Sequence, residues 1–390
     1  MRMSINIVKK KKKCVCVSCF DYYTIRMKGI LNYFSSKKFE TSYLIPDYNH
    51  FSGKASIIQD DRTALIHVPA YKKNMSFTRL YSHYVFAKGV YKFLYENQPD
   101  IIYCVIPPNI LVREIIKFKR KFENTRVIFD VFDTWPESMP KLNNKKIFAL
   151  PFKIWKNLRE NYISEADLVV CVSKSCEKFL RTTHPNLNTR VVYPSPDAAT
   201  LNELPPHEFN IKDKITFCHL GNVNYIVDTE LAVKLLSLLA KHKKISIHFI
   251  GAGNSLENFI NALADNGIET ISHGVIFDTA MKSKIYSVCD LGLCTPRREI
   301  NSTMPLKAVD YIRSGLPFIN NSLGDMRSIV ENDELGININ PENLDETVKK
   351  ILELTPEKLF KMSANCLEKY NQAFVHDYDK IFNTIQNSTH

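Results

Sequence analysis

Two short stretches of this 390-residue chain hold residues whose types and spacing suit chemistry. The first is Cys289–Asn321, CDLGLCTPRREINSTMPLKAVDYIRSGLPFINN. Asp290–Cys294 has the length and apolar content of a strand in a covered sheet. Met304–Arg313 places Leu306, Val309, Tyr311 and Ile312 on a helical repeat, with Pro305 suited to a first turn. Gly315 follows where a left-handed residue ends a helix, and Pro317 prevents its continuation. Strand, polar loop and helix in that order put a helix N-terminus, with unpaired N–H groups and the positive dipole end, at the carboxyl edge of a sheet. Such a seat suits phosphate. Lys307 adds a cation there, and Asp310, three residues on, lies on nearly the same face. A cation for phosphate beside a carboxylate for hydroxyls is the chemistry of nucleotide-sugar binding. The second stretch is Asp130-Val-Phe-Asp133-Thr-Trp135-Pro136-Glu137-Ser138, at the end of a strand beginning at Arg126. Carboxylates bond sugar hydroxyls and a Trp face stacks on sugar C–H groups. The same residues also read as a capped helix start with Trp135 packed inside, and the two readings are compatible.

The elements that must position these residues alternate between strand and helix, twice over. Cys14–Phe20 reads as a strand, leading through a polar loop into a helix over about Arg26–Ser35. Arg26 lies near a first β-to-α loop, which faces the ligand crevice of a doubly wound domain; it is a candidate for substrate contact or a plain surface residue. Thr41–Ile45 and Ala64–Val68 read as strands, Phe77–Glu96 as a helix rich in Tyr and Phe, Pro99–Ile106 as a strand and Ile110–Phe122 as a basic helix. A polar, Pro-containing stretch to Pro206 reads as a linker. Ile215–Leu220 then opens a second series, with a helix from about Asp228 to His242 and a strand at Ile245–Ile250. Gly251-Ala252-Gly253 is weak as a dinucleotide fingerprint, since the third glycine position is Leu256.

Pro305-Leu-Lys307-x-x-Asp310-Tyr-x-x-x-Gly315-x-Pro317 resembles the donor-binding signature of family-4-type retaining glycosyltransferases with the GT-B fold. It is most similar to the bacterial polysaccharide and O-antigen branch. Asp130-x-x-Asp133-x-Trp135-Pro136-Glu137-Ser138 and Ala166-Asp167-x-Val169-x-x-Val172-Ser173 are similar to other stretches of that branch. The resemblance, running from Cys14 to about Ile385, implies an α/β GT-B fold of two Rossmann-like, doubly wound domains facing a central cleft. It implies an acceptor-binding domain at 1–198, a nucleotide-sugar-binding domain at 199–370, and a terminal helix within 371–390 crossing back onto the first domain. It also implies a metal-independent, retaining transfer of sugar from a UDP- or GDP-linked donor to a glycan or lipid-linked glycan. The setting would be bacterial surface polysaccharide, lipopolysaccharide or capsule, and no cofactor beyond the donor substrate is expected. Donor contacts are expected from Gly221, Asn222, Gly251, Gly253, Arg297, Glu299, Pro305, Lys307 and Asp310. Lys307 would stabilise the leaving diphosphate, with Arg297 or Arg298 assisting, and Asp310 would bond ribose. Asp133 and Glu137 would orient or deprotonate the acceptor hydroxyl, and Arg26 and Trp135 would bind the acceptor. The chain departs from the pattern at Ser302, where the family has a carboxylate, so Glu299 is the expected replacement. Val227 stands where the family has Lys, and Ser195-Pro196 alters the usual hinge motif.

Hydrophobic content of 45% and charged content of 24% fit a soluble globular protein, and no apolar run approaches the length of a spanning helix. The N-terminus has its basic cluster after a short apolar piece and does not read as a signal peptide. Ten scattered cysteines fit a reducing cytoplasm; Cys14, Cys16 and Cys19 lack the partners of a metal site. Residues 1–198 carry 33 Lys and Arg against 17 Asp and Glu, whereas the remainder carries 19 against 24. A basic first half points to a polyanionic partner, an anionic membrane surface or nucleic acid. The absence of a recognition motif argues against nucleic acid. Residues 143–163 interleave Lys145, Lys146, Lys153, Lys156 and Arg159 with Phe148, Leu150, Phe152, Ile154, Trp155 and Leu158, the composition of a helix at a lipid interface. The same apolar stripe would equally pack on the sheet, leaving the lysines solvated. A GT-B-fold sugar-nucleotide epimerase and a basic nucleic-acid-binding α/β protein are the alternative readings.

Overall fold

The computed structural model describes residues 11–20, 24–50, 53–58, 60–72, 76–138, 149–195, 205–300 and 304–386. The chain forms two compact units, Met1–Val192 with Asp377–His390, and Tyr193–His376.

In the first unit the elements run β1 (Lys13–Val17), α1 (Thr24–Ser36), β2 (Glu40–Pro46), β3 (Thr63–Ile66), α2 (Phe77–Asn97), β4 (Ile101–Ile106), α3 (Ile110–Lys119), β5 (Arg126–Val131), α4 (Ala149–Glu160), β6 (Leu168–Cys171), α5 (Lys174–Thr183) and β7 (Thr189–Val191). The strands form one parallel sheet in the order β3-β2-β1-β4-β5-β6-β7. Every residue of β4, IIYCVI, is buried, because helices cover both faces of a parallel sheet and leave no solvated side. Ser76 caps α2 by accepting from the Arg79 N–H, and Gln98 ends it in the left-handed region.

The second unit runs β8 (Lys214–Leu220), α6 (Thr229–Ala240), β9 (Lys244–Ile250), α7 (Leu256–Ala264), β10 (Glu269–Ser272), α8 (Thr279–Ser287), β11 (Leu291–Cys294), α9 (Leu306–Arg313), β12 (Phe318–Asn320), α10 (Gly324–Asn332), β13 (Gly336–Asn338), α11 (Leu344–Leu352) and α12 (Pro356–Ala373). Its parallel sheet has the order β10-β9-β8-β11-β12-β13. One core cluster gathers Leu235, Leu236, Ile247 and Ile351. Another gathers Cys218, Tyr311, Ile312 and Tyr370. The expected close of α9 is present: Gly315 takes φ 68° and the Leu316 N–H reaches back to the Tyr311 carbonyl at 3.0 Å.

A last helix, α13 (Tyr378–Gln386), belongs to the first unit and sinks Phe382 and Ile385 into its core. In both sheets the order reverses beside the first strand, between β1 and β4 and between β8 and β11. Ligand crevices of doubly wound folds open at the carboxyl ends of such strands.

Candidate functional site

At the reversal point of the second sheet, β8 ends in His219-Leu220, and Gly221 follows. Tyr311 of α9 fastens this edge: its hydroxyl accepts from the Leu220 N–H at 2.9 Å and donates to the Cys218 carbonyl at 3.0 Å. Gly292 of β11 makes room for the ring, since a Cβ there would lie 2.6 Å from it. Lys307 stands one turn before Tyr311 on the same face of the helix. Its Nζ lies 3.2 Å from His219 Nε2. Burial lowers the Lys307 ammonium to about 8. Burial, then the neighbouring cation, holds His219 well below its ordinary value, so the imidazole is neutral and accepts from Lys307. The other ring nitrogen, Nδ1, is buried without a hydrogen-bond partner. No carboxylate pairs with Lys307 among the described residues. The result is a cation beside the first turn of a helix, where the backbone N–H groups lack intrahelical partners.

The glycines around this seat divide into two kinds. Gly221 has φ 101°, and a Cβ built on it would meet only Lys307 Cε, at 3.9 Å; its face opens towards the cation. Gly251 and Gly253 serve loop against loop. A Cβ would come within 2.2 Å of the Gly221 carbonyl oxygen at the former, and within 2.1 Å of the Val223 carbonyl oxygen at the latter. Hydrogen bonds from Gly221 N–H to Ile250 O and from Val223 N–H to Ala252 O, each 2.8 Å, bind the two loops together. The side of Gly253 expected to admit the ligand is thus filled by backbone. Asn222 is exposed on the same turn.

The loop after β11 is pinned to that turn by Asp228 N–H to Thr295 O and Arg297 N–H to Ile226 O, both 2.8 Å. Arg297 is partly buried and 3.6 Å from Glu230. Arg298 turns instead to Asn321 Oδ1 at 3.2 Å and Ile339 O at 3.3 Å. Glu299 is exposed in the single helical turn 298–300. Ser302 lies outside the described residues. Pro305 caps α9, its carbonyl accepting from the Ala308 N–H at 3.0 Å. Asp310 does not face the seat as expected. Its carboxylate is buried between Lys282, Arg313 at 3.2 Å and the Tyr286 hydroxyl at 3.3 Å. Both oxygens are occupied, because residue 310 turns inwards to the helix α8 side rather than along the face that carries Lys307.

In the first unit, Asp133 follows β5. Burial pushes its carboxyl above the usual range, against donation from the Ser138 hydroxyl, the Thr134 N–H and the Trp135 side chain. Glu137 is tied to α4 by Arg159 at 2.8 Å and Lys156 at 3.4 Å. Trp135 is half-buried: the Arg79 guanidinium lies over its ring at 5.1 Å, and its centroid is 6.2 Å from Phe20 and 6.0 Å from Trp155. Its carbonyl accepts from Asn109 at 2.8 Å and Arg159 at 3.0 Å. Arg26, a candidate for acceptor contact, is buried instead. It grips Asp130 with Nε at 2.7 Å and Nη2 at 3.0 Å, and reaches the Val192 carbonyl at 3.0 Å. Tyr103 donates to the same carboxylate at 2.6 Å. A buried carboxylate needs such partners, which takes Arg26 out of any ligand contact.

Two residues here escape a reading of the sequence. His219 is a polar residue inside the apolar strand KITFCHL, and that interruption just before Gly221 is its one signal. Arg79 sits in the first turn of α2, and nothing local marks it as the cation that will cover Trp135 and, at 5.6 Å, Phe20.

Residues 214–356 match the family model described as Glycosyl transferases group 1. No curated protein matches the chain. Among solved structures, sucrose-phosphate synthase from Thermosynechococcus elongatus aligns with a TM-score of 0.71 at 12% identity, over 97% of this chain and 98% of that one. The lipopolysaccharide outer core galactosyltransferase WaaB in its apo form aligns at 0.65 and 16% identity, over 96% and 99%. Anabaena HepE in complex with UDP and glucose aligns at 0.64 and 12%, over 97% and 99%. At such identities the likeness is one of fold, and the fold is GT-B: two Rossmann-like α/β domains, the second carrying the segment that matches the glycosyltransferase group 1 model.

Proposed function

We propose that the protein is a glycosyltransferase that moves a sugar, with retention of anomeric configuration, from a nucleoside-diphosphate sugar to a glycan or lipid-linked glycan. The acceptor belongs to bacterial surface polysaccharide synthesis at the cytoplasmic face of the membrane. In the reaction the bond from the anomeric carbon to the diphosphate oxygen breaks, and a bond from that carbon to the acceptor oxygen forms. The acceptor's proton leaves with the diphosphate. The observation that carries this reading is Lys307, a cation with no carboxylate partner among the described residues, set beside a helix N-terminus and an open Gly221 at the reversal point of the sheet. A fixed positive charge that meets the charge developing on the leaving group acts mostly in the transition state. Arg297 adds to the anion's surroundings, and exposed Glu299 takes the sugar-facing part that Ser302 cannot. Asp133 and Trp135 serve the acceptor, Asp133 as a carboxyl group that orients its hydroxyl. The group 1 match over the second unit supports a nucleotide-sugar donor, and UDP in the HepE complex favours a UDP-linked one.

Calorimetric titration with UDP, GDP and CMP tests the donor site. One diphosphate should bind the wild type, and Lys307→Met should weaken it at least about tenfold, the loss of about 1.4 kcal/mol. If none of the three binds at millimolar concentration, or Lys307→Met binds as well as wild type, the assignment of this site fails.

A further inference from the structure

Strand β8, KITFCHL, brings a histidine to the phosphate seat. The side chain of His219 shares its face of the strand with Ile215 and Phe217, because alternate residues point the same way. It is completely buried, flanked by Phe249 of β9 and Phe259 of α7 with ring centroids 5.8 and 6.3 Å away. Nδ1 finds no hydrogen-bond partner there. Either tautomer therefore leaves one polar atom unpaired in an apolar setting, a cost that leucine or phenylalanine at this position would not carry. Fold stability does not account for the residue. Its gain lies on the other side of the ring. Nε2 is 3.2 Å from Lys307 Nζ, and this is the one hydrogen bond of that ammonium among the described residues.

The two side chains come from opposite faces of the sheet. Phe217, Phe249 and Phe259 belong to one core cluster, whereas Val309, Tyr311 and Ile312 of α9 join Cys218 in another. Lys307 therefore meets His219 at the end of β8, where Gly221 leaves its methylenes room: a Cβ at 221 would lie 3.9 Å from Lys307 Cε and touch nothing else. A lysine is a point charge on a flexible four-carbon stem, so standing in one place requires an anchor. A carboxylate anchor would fix the ammonium and cancel its charge. A neutral imidazole takes one N–H through its lone pair and leaves two N–H groups, with the whole charge, for an anion. The other groups facing Lys307 are the thiols of Cys218 on β8 and Cys294 on β11, both pushed up by burial and uncharged at neutrality. Asp310, on the helix itself, is taken by Lys282 and Arg313. We infer that His219 is a positioning residue of the diphosphate site, an uncharged anchor that holds the Lys307 ammonium at the phosphate seat without neutralising it. The inference deepens the donor-site reading above and rests on it.

Titration with UDP, or with GDP where that is the diphosphate the wild type takes, tests it between roughly pH 6 and 10. His219→Phe keeps a ring between Phe249 and Phe259 but has no acceptor. It should weaken binding about fivefold or more at neutral pH. The fall in affinity that begins near pH 8 should begin about one unit lower, because an ammonium without its acceptor gives up its proton sooner. His219→Gln, whose carboxamide oxygen accepts in place of Nε2, should restore most of both. His219→Glu should move the fall to higher pH while binding stays weak, since its charge cancels that of Lys307. Urea unfolding should place His219→Phe at or above the wild-type midpoint, so that lost binding is not lost fold. In the unmodified protein, 15N spectra of the imidazole should show a neutral ring with its proton on Nδ1 between about pH 6 and 8. A ring that protonates in that range, or a proton on Nε2, overturns the inference. So does a His219→Phe variant with wild-type affinity and pH profile, or one whose unfolding midpoint drops well below wild type, which would make the histidine structural. A His219→Gln variant as weak as His219→Phe overturns it too, since the ring's shape rather than its lone pair would then be the requirement. Absence of diphosphate binding by the wild type strikes the donor site and takes this inference with it. Wild-type behaviour of His219→Phe beside a weakened Lys307→Met strikes His219 alone.

Discussion

Burial makes the charge of Lys307 sensitive to pH. Its ammonium, lowered to about 8 by burial, is mostly protonated at neutrality and half lost one unit higher. A bound diphosphate opposes that shift and raises the value again, so binding takes up a proton above about pH 8. Diphosphate affinity should therefore fall by up to about tenfold per unit between roughly pH 8 and 10, the slope of a single proton. Titrations in buffers of different ionisation heat should show the uptake directly. Lys307→Arg keeps its charge throughout and should flatten the profile; a wild-type profile that is already flat to pH 9.5 would remove Lys307 from the diphosphate. The same depression has a sign for stability. The unfolded chain binds the proton more tightly between about 8 and the ordinary lysine value, so this group favours folding more as pH rises through that window. At this scale the sequence shows Lys307 well, because its spacing from Pro305 and Gly315 is local. Arg26 is misread for the opposite reason: its partners Asp130 and Val192 are 104 and 166 residues away, and no local pattern distinguishes a buried ion pair from a ligand-facing cation.

At the scale of elements, the geometry of the seat depends on how closely α9 lies on the sheet. The Tyr311 ring fills the space over Gly292, and its hydroxyl ties down the end of β8 that presents His219 and Gly221. Gly292→Ala would put a methyl group 2.6 to 2.9 Å from three ring carbons, with no flexible chain end to yield. The helix must move, at a cost of about 1–3 kcal/mol. Urea unfolding should show that loss, and diphosphate affinity should fall with it although residue 292 touches no ligand. Unchanged stability would mean that α9 yields freely and does not fix the position of Lys307. Strand β11 and helix α9 are legible from their apolar runs and from Pro305 and Gly315. Helix α10 and strand β13 leave no such mark. Helix α10 is nine residues long with a glycine at its first position, and β13 has three residues, too few for a period to emerge. Tertiary cover by Met326, Ile329 and Ile337 supplies what propensity does not.

For the whole molecule, the double alternation of strands and helices is visible in the chain, and so is the uneven charge of its halves. What local pattern cannot show is that one unit is built from two separated pieces. Helix α13 completes the first unit's core from the far end of the chain. Phe382 is 1% exposed between Phe34 and Tyr33, with ring centroids 5.3 and 5.4 Å away, and Ile385 is 2% exposed. The Tyr33 hydroxyl donates to Asp379 at 2.9 Å, and the Tyr378 hydroxyl fits against Gly29, where a Cβ would be 2.5 Å away. Burying two such side chains contributes about 3–6 kcal/mol, a large share of the stability of a domain this size. Truncation after His376 should therefore lower the first unit's unfolding midpoint, followed as its own transition, while the second unit retains its diphosphate affinity. Phe382→Ala should give the same result in milder form, about 3–5 kcal/mol, as a cavity opens beside Phe34. If both variants unfold at the wild-type midpoint, α13 merely rests on the first unit and its core is complete without it.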